Sequence, residues 1–159
     1  MVTERIAAML LAGGLARRMG GGDKGLKELA GRPLMDHVLD RLKDQDGAVV
    51  DPIFINANGD PDRFAPWGLP VVPDVIEGAQ GPLAGVLTGL LWLRENRPDV
   101  PWLLTAPVDG PFLPRDLAAR LFEAVAQGNG ADGRADLACV ASGGRATPVV
   151  GLWSVALAD

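Results

Sequence analysis

The sequence predicts an α/β protein in which helices cover both faces of a mostly parallel sheet. The main observation is alternation: short, continuous apolar segments are separated by longer segments whose apolar residues recur with helical spacing. In addition, 48% of the 159 residues are hydrophobic, and a chain of this composition can bury a core between layers. The length predicts one domain that spans residues 1–159.

Six segments predict strands because they are short, apolar and bounded by turn residues. The second is rich in β-branched residues, but Pro52 is expected to limit it to its second half, because proline cannot donate a ladder hydrogen bond. The last two are joined by Ser-Gly-Gly-Arg at residues 142–145, which predicts a hairpin. The six segments are Ile6–Leu11, Val49–Ala57, Val71–Asp74, Trp102–Ala106, Leu137–Ala141 and Ala146–Trp153.

Three segments predict amphipathic helices, because their apolar residues form stripes with helical spacing. Pro33, Pro82 and Pro114 stand at or near their starts, where a missing N–H is tolerated. Gly85 and Gly89 in the second helix are expected to allow close packing against a neighbour. The three stripes are Leu34, Met35, Val38, Leu39 and Leu42; Leu83, Val86, Leu87, Leu90 and Leu91; and Leu117, Ala118, Leu121, Phe122 and Val125.

Charge and residue counts exclude several classes of function. The formal net charge is −5, whereas binding to nucleic acid or to a membrane surface needs an extended basic face. Cys139 and His37 are the only residues of their types, so disulfides within the chain, cysteine zinc clusters and histidine metal sites are not expected. No apolar run reaches the roughly 18 residues that span a bilayer, and the expected location is the cytoplasm.

The stretch Leu11–Gly25, LAGGLARRMGGGDKG, follows the first predicted strand and combines six glycines with Arg17, Arg18 and Lys24. Glycines let backbone N–H groups approach an anion closely, and nearby cations add positive charge. The stretch therefore predicts a cradle for a polyphosphate; the alternative is a flexible surface loop. It is not a P-loop, because Gly25 rather than serine or threonine follows Lys24, and its one G-x-G-x-x-G match lies eight residues beyond the strand.

Three polar residues, Asn56, Asp74 and Asp109, stand at the ends of later predicted strands. Ligands of parallel α/β sheets bind at the carboxyl ends of the strands, so these residues are expected to converge with the glycine-rich stretch. Asp109 is the candidate ligand of Mg²⁺, which binds one or two carboxylates together with phosphate oxygens and water. The alternatives are a helix-capping role for Asp109 and turn roles for Asn56 and Asp74.

Together, these features predict nucleotidyl transfer from a nucleoside triphosphate. The incoming phosphate of an acceptor is already ionised, so the reaction needs no general base, which agrees with the single histidine. Catalysis would then depend on alignment, on Mg²⁺ and on cations such as Lys24 that offset charge on the transferring group.

The chain resembles the molybdenum cofactor guanylyltransferase family in a series of motifs that follow the family's order. The first motif is L-A-G-G-x-x-x-R-M-G-G-x-D-K-G-L, whose Asp-Lys-Gly ending is particular to that family. The resemblance implies a three-layer α/β/α, Rossmann-like nucleotidyltransferase fold. The later motifs are Gly31–Leu34, Asn56–Asn58, Pro73-Asp74, Gly81–Gly85 and Val108–Pro111.

The resemblance implies transfer of GMP from GTP to molybdopterin that carries molybdenum, with release of pyrophosphate. It also implies transient contact with proteins that handle the molybdenum cofactor. Arg18 is added from its place in the glycine-rich stretch, as a clamp on the phosphates. By position, the resemblance implies backbone contacts of Leu11, Ala12 and Gly13 with the nucleotide, phosphate binding by Lys24, contacts of Asn56 and Asp74 with the guanosine part, and Mg²⁺ binding by Asp109.

One departure from the family pattern concerns the C-terminal part. Family members usually continue with an Asn-x-Asn-Thr segment and a final helix, and the sequence stops at Asp159 without them, so this domain is expected to lack that segment. Base choice depends on loop geometry, which leaves open a sibling transferase that uses CTP on the same cofactor or on a sugar phosphate. A non-catalytic nucleotide-binding module and, more remotely, an NAD-dependent oxidoreductase are also open.

Overall fold

The computed structural model describes residues 5–12, 26–76, 82–108, 110–130, 132–142 and 144–158. The strands are β1 (Ile6–Leu11), β2 (Glu28–Leu29), β3 (Arg32–Pro33), β4 (Val50–Asn56), β5 (Val71–Val72), β6 (Trp102–Pro107), β7 (Leu137–Ser142) and β8 (Arg145–Ser154). The α-helices are α1 (Leu34–Lys43), α2 (Pro82–Asn96) and α3 (Leu117–Ala126), and 3₁₀ turns occur at Pro61–Trp67 and Val155–Ala158.

Six of these strands form one sheet in the order β5-β4-β1-β6-β8-β7. β1 pairs in parallel with β4 and β6, and β4 with β5, whereas β8 runs antiparallel to both of its neighbours. The prediction of a mostly parallel sheet is therefore confirmed, as is the hairpin that joins the last two strands. β2 and β3 form a separate two-stranded ladder that was not predicted from the sequence.

Successive residues of β1 alternate between two cores, one on each face of the sheet. Ile6, Ala8 and Leu10 lie in the core that α1 and α3 cover, and Ala7 and Met9 lie in the core that α2 covers. All five side chains are fully buried, which explains why this strand is a continuous apolar run. The predicted three-layer α/β/α arrangement is confirmed.

The buried face of α2 combines two glycines with the apolar side chains of Val86, Leu90 and Leu93. Gly85 and Gly89 are buried, whereas Leu83, which the apolar stripe included, is 63% exposed. A Cβ at Gly89 would lie 2.7 Å from Met9 Sδ, so the helix backbone approaches β1 closely. The predicted close packing at the glycines is confirmed. The predicted burial of Leu83 is wrong. The face of α2 that packs on the sheet is the one that carries Gly85 and Gly89, and Leu83 lies off this face.

Pro52 does not shorten β4, contrary to the expectation from the sequence. The strand begins at Val50, and its register with β1 shifts between the pairs Ile6–Val50 and Ala8–Ile53. Such an irregularity in the ladder accommodates a residue that cannot donate a hydrogen bond. A strand in this segment is confirmed over Val50–Asn56, and the expected restriction to its second half is wrong.

The described helices are also short in comparison with a bilayer, which takes about 20 residues of helix to cross. α2 is the longest of them, with 15 residues. Within the described ranges, no helix has the length and apolar character that a membrane span requires.

Candidate functional site

The carboxyl ends of β4, β1 and β6 meet at one edge of the sheet through backbone hydrogen bonds. Ala12 N donates to Asn56 O at 2.9 Å, which joins the end of β1 to the end of β4. On the other side of β1, Val108 N donates to Leu11 O at 3.4 Å. The structure therefore brings Leu11, Ala12 and Asn56 together at the edge where the sequence predicts a site.

Four of the predicted site residues, Gly13, Arg18, Lys24 and Asp109, lie outside the residues that the structure describes. Their roles stay predictions. The residues that directly precede Gly13 and Asp109 in the chain are the two whose N–H groups form the hydrogen bonds at this edge.

Asn56 ends β4 and holds its side-chain amide in one orientation. The residue is 3% exposed, and Nδ2 donates to Val72 O at 3.1 Å and to Asp74 Oδ1 at 2.9 Å. The amide oxygen faces α2, since a Cβ at Gly85 would lie 2.5 Å from Asn56 Oδ1. Both amide protons have acceptors and the oxygen packs on a glycine, so the amide cannot turn over without losing both hydrogen bonds.

Asp74 follows β5 and accepts a hydrogen bond on each carboxylate oxygen. Oδ1 accepts from Asn56 Nδ2, and Oδ2 accepts from Asn58 Nδ2 at 3.0 Å. The backbone N–H of Asp74 donates to Asn58 Oδ1 at 2.9 Å. In the part of the chain that the structure describes, no lysine or arginine forms an ion pair with this carboxylate. Neutral amides therefore orient Asp74 while its negative charge stays available to a ligand.

Thr88 ties the segment after Asp74 to α2. Its side chain is fully buried, and Oγ1 accepts from Val75 N at 3.0 Å and donates to Ala84 O at 2.9 Å. Because one hydroxyl serves as acceptor and donor at once, the backbone at Val75 is held against the first turns of α2.

The described residues do not form a metal centre by themselves. Across the described ranges, no group of three or more His, Cys, Asp or Glu side chains could hold a metal ion. Asp74 directs both carboxylate oxygens at amide donors, which suits hydrogen bonding to a ligand rather than the crowded oxygen shell of a cation. Asp109 lies outside the described residues, and its role as a metal ligand stays a prediction.

The clearest electrostatic perturbation lies away from this edge. The side-chain hydrogen bonds from Arg97 hold the pKa of Asp99 well below its usual range, and the same contact raises the pKa of Arg97. Arg5, which precedes β1, also donates to Asp99. Since Arg5 and Asp99 precede β1 and β6, this ion cluster lies at the amino edge of the sheet, opposite the candidate site.

Sequence reasoning missed the part that Asn58 takes in the hydrogen-bond network, because the sequence singles out Asn58 only as the last residue of the motif Asn56–Asn58. A signal was nevertheless present. Asn58 follows the predicted strand directly, and where the chain stays extended past the end of a strand, residues two apart such as Asn56 and Asn58 direct their side chains to the same side.

A mostly parallel sheet between two helical layers, with polar side chains at the carboxyl ends of its strands, defines the Rossmann-like α/β class of proteins. In that class ligands bind at this edge of the sheet. The chain belongs to the family of MobA-like NTP transferase domains, whose family model matches residues 8–159.

Curated relatives that are similar to the chain carry the name molybdenum cofactor guanylyltransferase. The chain is 55% identical over 146 residues to the relative from Rhodopseudomonas palustris (strain BisB5), covering 92% of this chain and 65% of the relative. It is 50% identical over 157 residues to the relative from Bradyrhizobium sp. (strain ORS 278), covering 99% of this chain and 70% of the relative. The chain therefore spans about two thirds of the length of these relatives.

Solved structures with the same fold extend this likeness. The TM-score is 0.64 against molybdopterin-guanine dinucleotide biosynthesis protein A from Archaeoglobus fulgidus, at 19% identity, with 98% of this chain and 69% of that chain covered. It is 0.61 against 4-diphosphocytidyl-2C-methyl-D-erythritol synthase from Anaerococcus prevotii DSM 20548, at 16% identity, with 97% and 71% covered. At these identities the likeness shows the fold alone.

Proposed function

We propose that the protein transfers GMP from GTP to molybdopterin that carries molybdenum, forming the guanine dinucleotide form of the cofactor and pyrophosphate. The observation that carries the proposal is the identity of 50–55%, over nearly the whole chain, to relatives named molybdenum cofactor guanylyltransferase. The geometry of Asn56 and Asp74 supports it, because a nucleoside can offer hydrogen-bond donors to a carboxylate that is already oriented.

The glycine-rich stretch holds the triphosphate in this proposal. Lys24 and Arg18 offset the charge of the phosphates, and Gly13 offers its backbone. Ala12 N already donates to Asn56 O, so the proposed contact of Ala12 with the nucleotide uses its carbonyl oxygen. The backbone of Leu11 lines the same edge.

Asn56 and Asp74 hold the guanosine part. Each oxygen of Asp74 accepts one amide N–H and keeps a second lone pair, which can accept from a hydroxyl or an N–H of the nucleoside. Since the carboxylate is oriented before the ligand arrives, binding orders fewer side-chain torsions than it would with a mobile aspartate.

In the proposed reaction, a phosphate oxygen of the acceptor attacks the α-phosphorus of GTP. The bond from the α-phosphorus to the oxygen that bridges to the β-phosphate breaks, and pyrophosphate leaves with that oxygen. The attacking oxygen is already ionised at neutral pH, so no side chain has to remove a proton. Asp109 would hold a divalent cation, Mg²⁺ in this proposal, which supplies positive charge beside the phosphates.

The proposal is tested by incubating the protein with GTP, Mg²⁺ and molybdate-loaded molybdopterin and measuring guanylated cofactor and pyrophosphate. Formation of both products in equal amounts supports the proposal, and their absence at every enzyme concentration overturns it. Faster turnover with CTP would replace it by a cytidylyltransferase, and faster turnover with a sugar phosphate would replace the acceptor. GTP binding without pyrophosphate release would indicate a non-catalytic nucleotide-binding module.

A further inference from the structure

We infer that Asn58 is a positioning residue that sets the orientation of the Asp74 carboxylate for ligand binding. The inference rests on the proposed function, in which Asp74 contacts the guanosine part of GTP. Asn58 acts through Asp74, and no contact of Asn58 with the ligand is required.

Two hydrogen bonds close a ring between Asn58 and Asp74. Asn58 Nδ2 donates to Asp74 Oδ2 at 3.0 Å, and Asn58 Oδ1 accepts from Asp74 N at 2.9 Å. The ring fixes the backbone and the side chain of Asp74 at the same time. It also requires an amide, because one end must donate and the other must accept. Aspartate at position 58 would keep the acceptor and lose the donor, and alanine would lose both.

Asn56 and Asn58, which flank Ala57, each donate to a different carboxylate oxygen of Asp74. Ala57 lies between the two asparagines and is buried, 2% exposed, in the core that α1 and α3 cover. Asn56 faces the opposite side, where it packs on Gly85 of α2. Asn58 lies two residues from Asn56 and reaches the same carboxylate from the other oxygen, so Asp74 is held between two amides.

The backbone of Asn58 is held in place by Arg63, so the Asn58 amide has a fixed position from which to orient Asp74. Arg63 Nη2 donates to Asn58 O at 2.7 Å, and Arg63 Nη1 donates to Asp60 O. The Arg63 guanidinium lies 4.5 Å from the ring centroid of Phe64, which is 1% exposed.

Gly59 takes the left-handed conformation, with φ of +84°, that turns the chain between Asn58 and the contacts of Arg63. The anchor of Asn58 therefore reaches the hydrophobic core, whereas Asp74 stands on a segment that directly follows the two-residue strand β5.

The experiment compares Asn58→Ala and Asn58→Asp with the matched control Asn96→Ala. Asn96 Nδ2 donates to Trp92 O at 2.9 Å in the last turn of α2, away from this edge. We expect Asn58→Ala to raise KM and Kd for GTP about tenfold, since a hydrogen bond to a charged group is lost, and to leave kcat within about twofold. Asn58→Asp should raise both further, because two carboxylates would then face each other. Asn96→Ala should change neither.

A double-variant cycle separates positioning from general support of the fold. If Asn58 acts through Asp74, adding Asn58→Ala to Asp74→Ala changes KM and Kd no further. A full additional loss in that background overturns the inference. If Asn58→Ala leaves KM and Kd unchanged while Asp74→Ala raises them, the inference fails and the proposed function stands. If Asp74→Ala changes neither, the proposed role of Asp74 fails, and the inference fails with it.

Two measurements keep this test decisive. Kd for GTP, measured by calorimetry, reports on Asn58 in the absence of an acceptor, so it does not depend on transfer activity. The melting temperature of each variant shows that the fold is intact. If Asn58→Ala does not fold, Asn58→Asp, which keeps the acceptor for Asp74 N, takes its place in the cycle, since the repulsion between the two carboxylates is absent in the Asp74→Ala background.

Discussion

The two edges of the central sheet hold their aspartates in opposite ways. At the amino edge, Arg97 donates to Asp99 through two hydrogen bonds of 2.9 and 3.0 Å, and Arg5 donates to it as well. At the carboxyl edge, two neutral amides hold Asp74. Guanidinium groups orient a carboxylate and neutralise it, whereas amides orient it and leave its charge. The carboxylate at the amino edge is thus neutralised within the protein, whereas the carboxylate at the carboxyl edge is oriented by neutral groups only.

The comparison is sharpest along β6, which has Asp99 before it and Asp109 after it. We expect Asp109→Ala to lower kcat for GMP transfer by about 10²-fold or more, because the proposed cation beside the phosphates loses its protein ligand. Asp99→Ala is the matched control and should leave kcat unchanged. Steady-state assays of both variants measure the difference. Comparable losses of kcat in the two variants would abolish the distinction between the edges.

A second pair of variants compares two glycines on one helix. A Cβ at Gly85 would lie 2.5 Å from Asn56 Oδ1, whereas a Cβ at Gly89 would lie 2.7 Å from Met9 Sδ, deeper under the sheet. We expect Gly85→Ala to weaken GTP binding by about 10- to 100-fold, because it displaces the amide that holds Asp74. Gly89→Ala should reduce the free energy of unfolding by about 1–3 kcal/mol with little change in GTP affinity.

Calorimetry with GTP and urea unfolding of both glycine variants distinguish these outcomes. A loss of GTP affinity in Gly89→Ala equal to that in Gly85→Ala would show that the two positions act only through the placement of α2.

The smallest expected effect concerns acid stability at the amino edge. Arg97 lowers the pKa of Asp99 in the folded state, so the carboxylate stabilises the fold above its unfolded pKa of about 4. This stabilisation is lost progressively as the pH falls below that value. We expect Asp99→Asn to lower the urea midpoint at pH 7 and to differ less from the wild type at pH 3.

The control for acid stability is Asp116→Asn, since Asp116 pairs at 3.3 Å with Arg120 on an exposed helix surface. Exposed pairs of this kind contribute little, so its urea midpoint should change less at pH 7. A constant difference between Asp99→Asn and the wild type across the pH range would contradict the role given to the Arg97 contact.

Much of the fold could be predicted because its signals are local. A continuous apolar run such as Ile6–Leu11 predicts a strand that is covered on both faces, and the structure has it. Leu83 was wrongly placed in the core, since a count of apolar residues cannot show that a helix packs through its glycines. The start of β4 could not be predicted, because Pro52 lacks the N–H that forms a ladder hydrogen bond. The register shift that accommodates it depends on the partner strand β1, which the local sequence does not reveal.

At the candidate site, the convergence of Asn56 and Asp74 could be predicted from the sequence, and the hydrogen-bond geometry could not. The rule for carboxyl ends of parallel strands located Asn56 and Asp74 at one edge, and the structure confirms that they meet. The bond between Asn58 and Asp74 joins residues 16 positions apart, so it depends on the pairing of β4 with β5. The roles of Lys24 and Asp109, and the extent of the domain, stay predictions.

Asn56 belongs to two parts of the proposed site at once. Its backbone carbonyl oxygen accepts a hydrogen bond from Ala12 N, and its side-chain amide donates to the Asp74 carboxylate. The end of β1 and the carboxylate that is proposed to bind the nucleoside are therefore both hydrogen-bonded to one buried residue of the sheet. In the proposed function, the distance between the start of the glycine-rich stretch and Asp74 would then be set by the sheet before GTP binds.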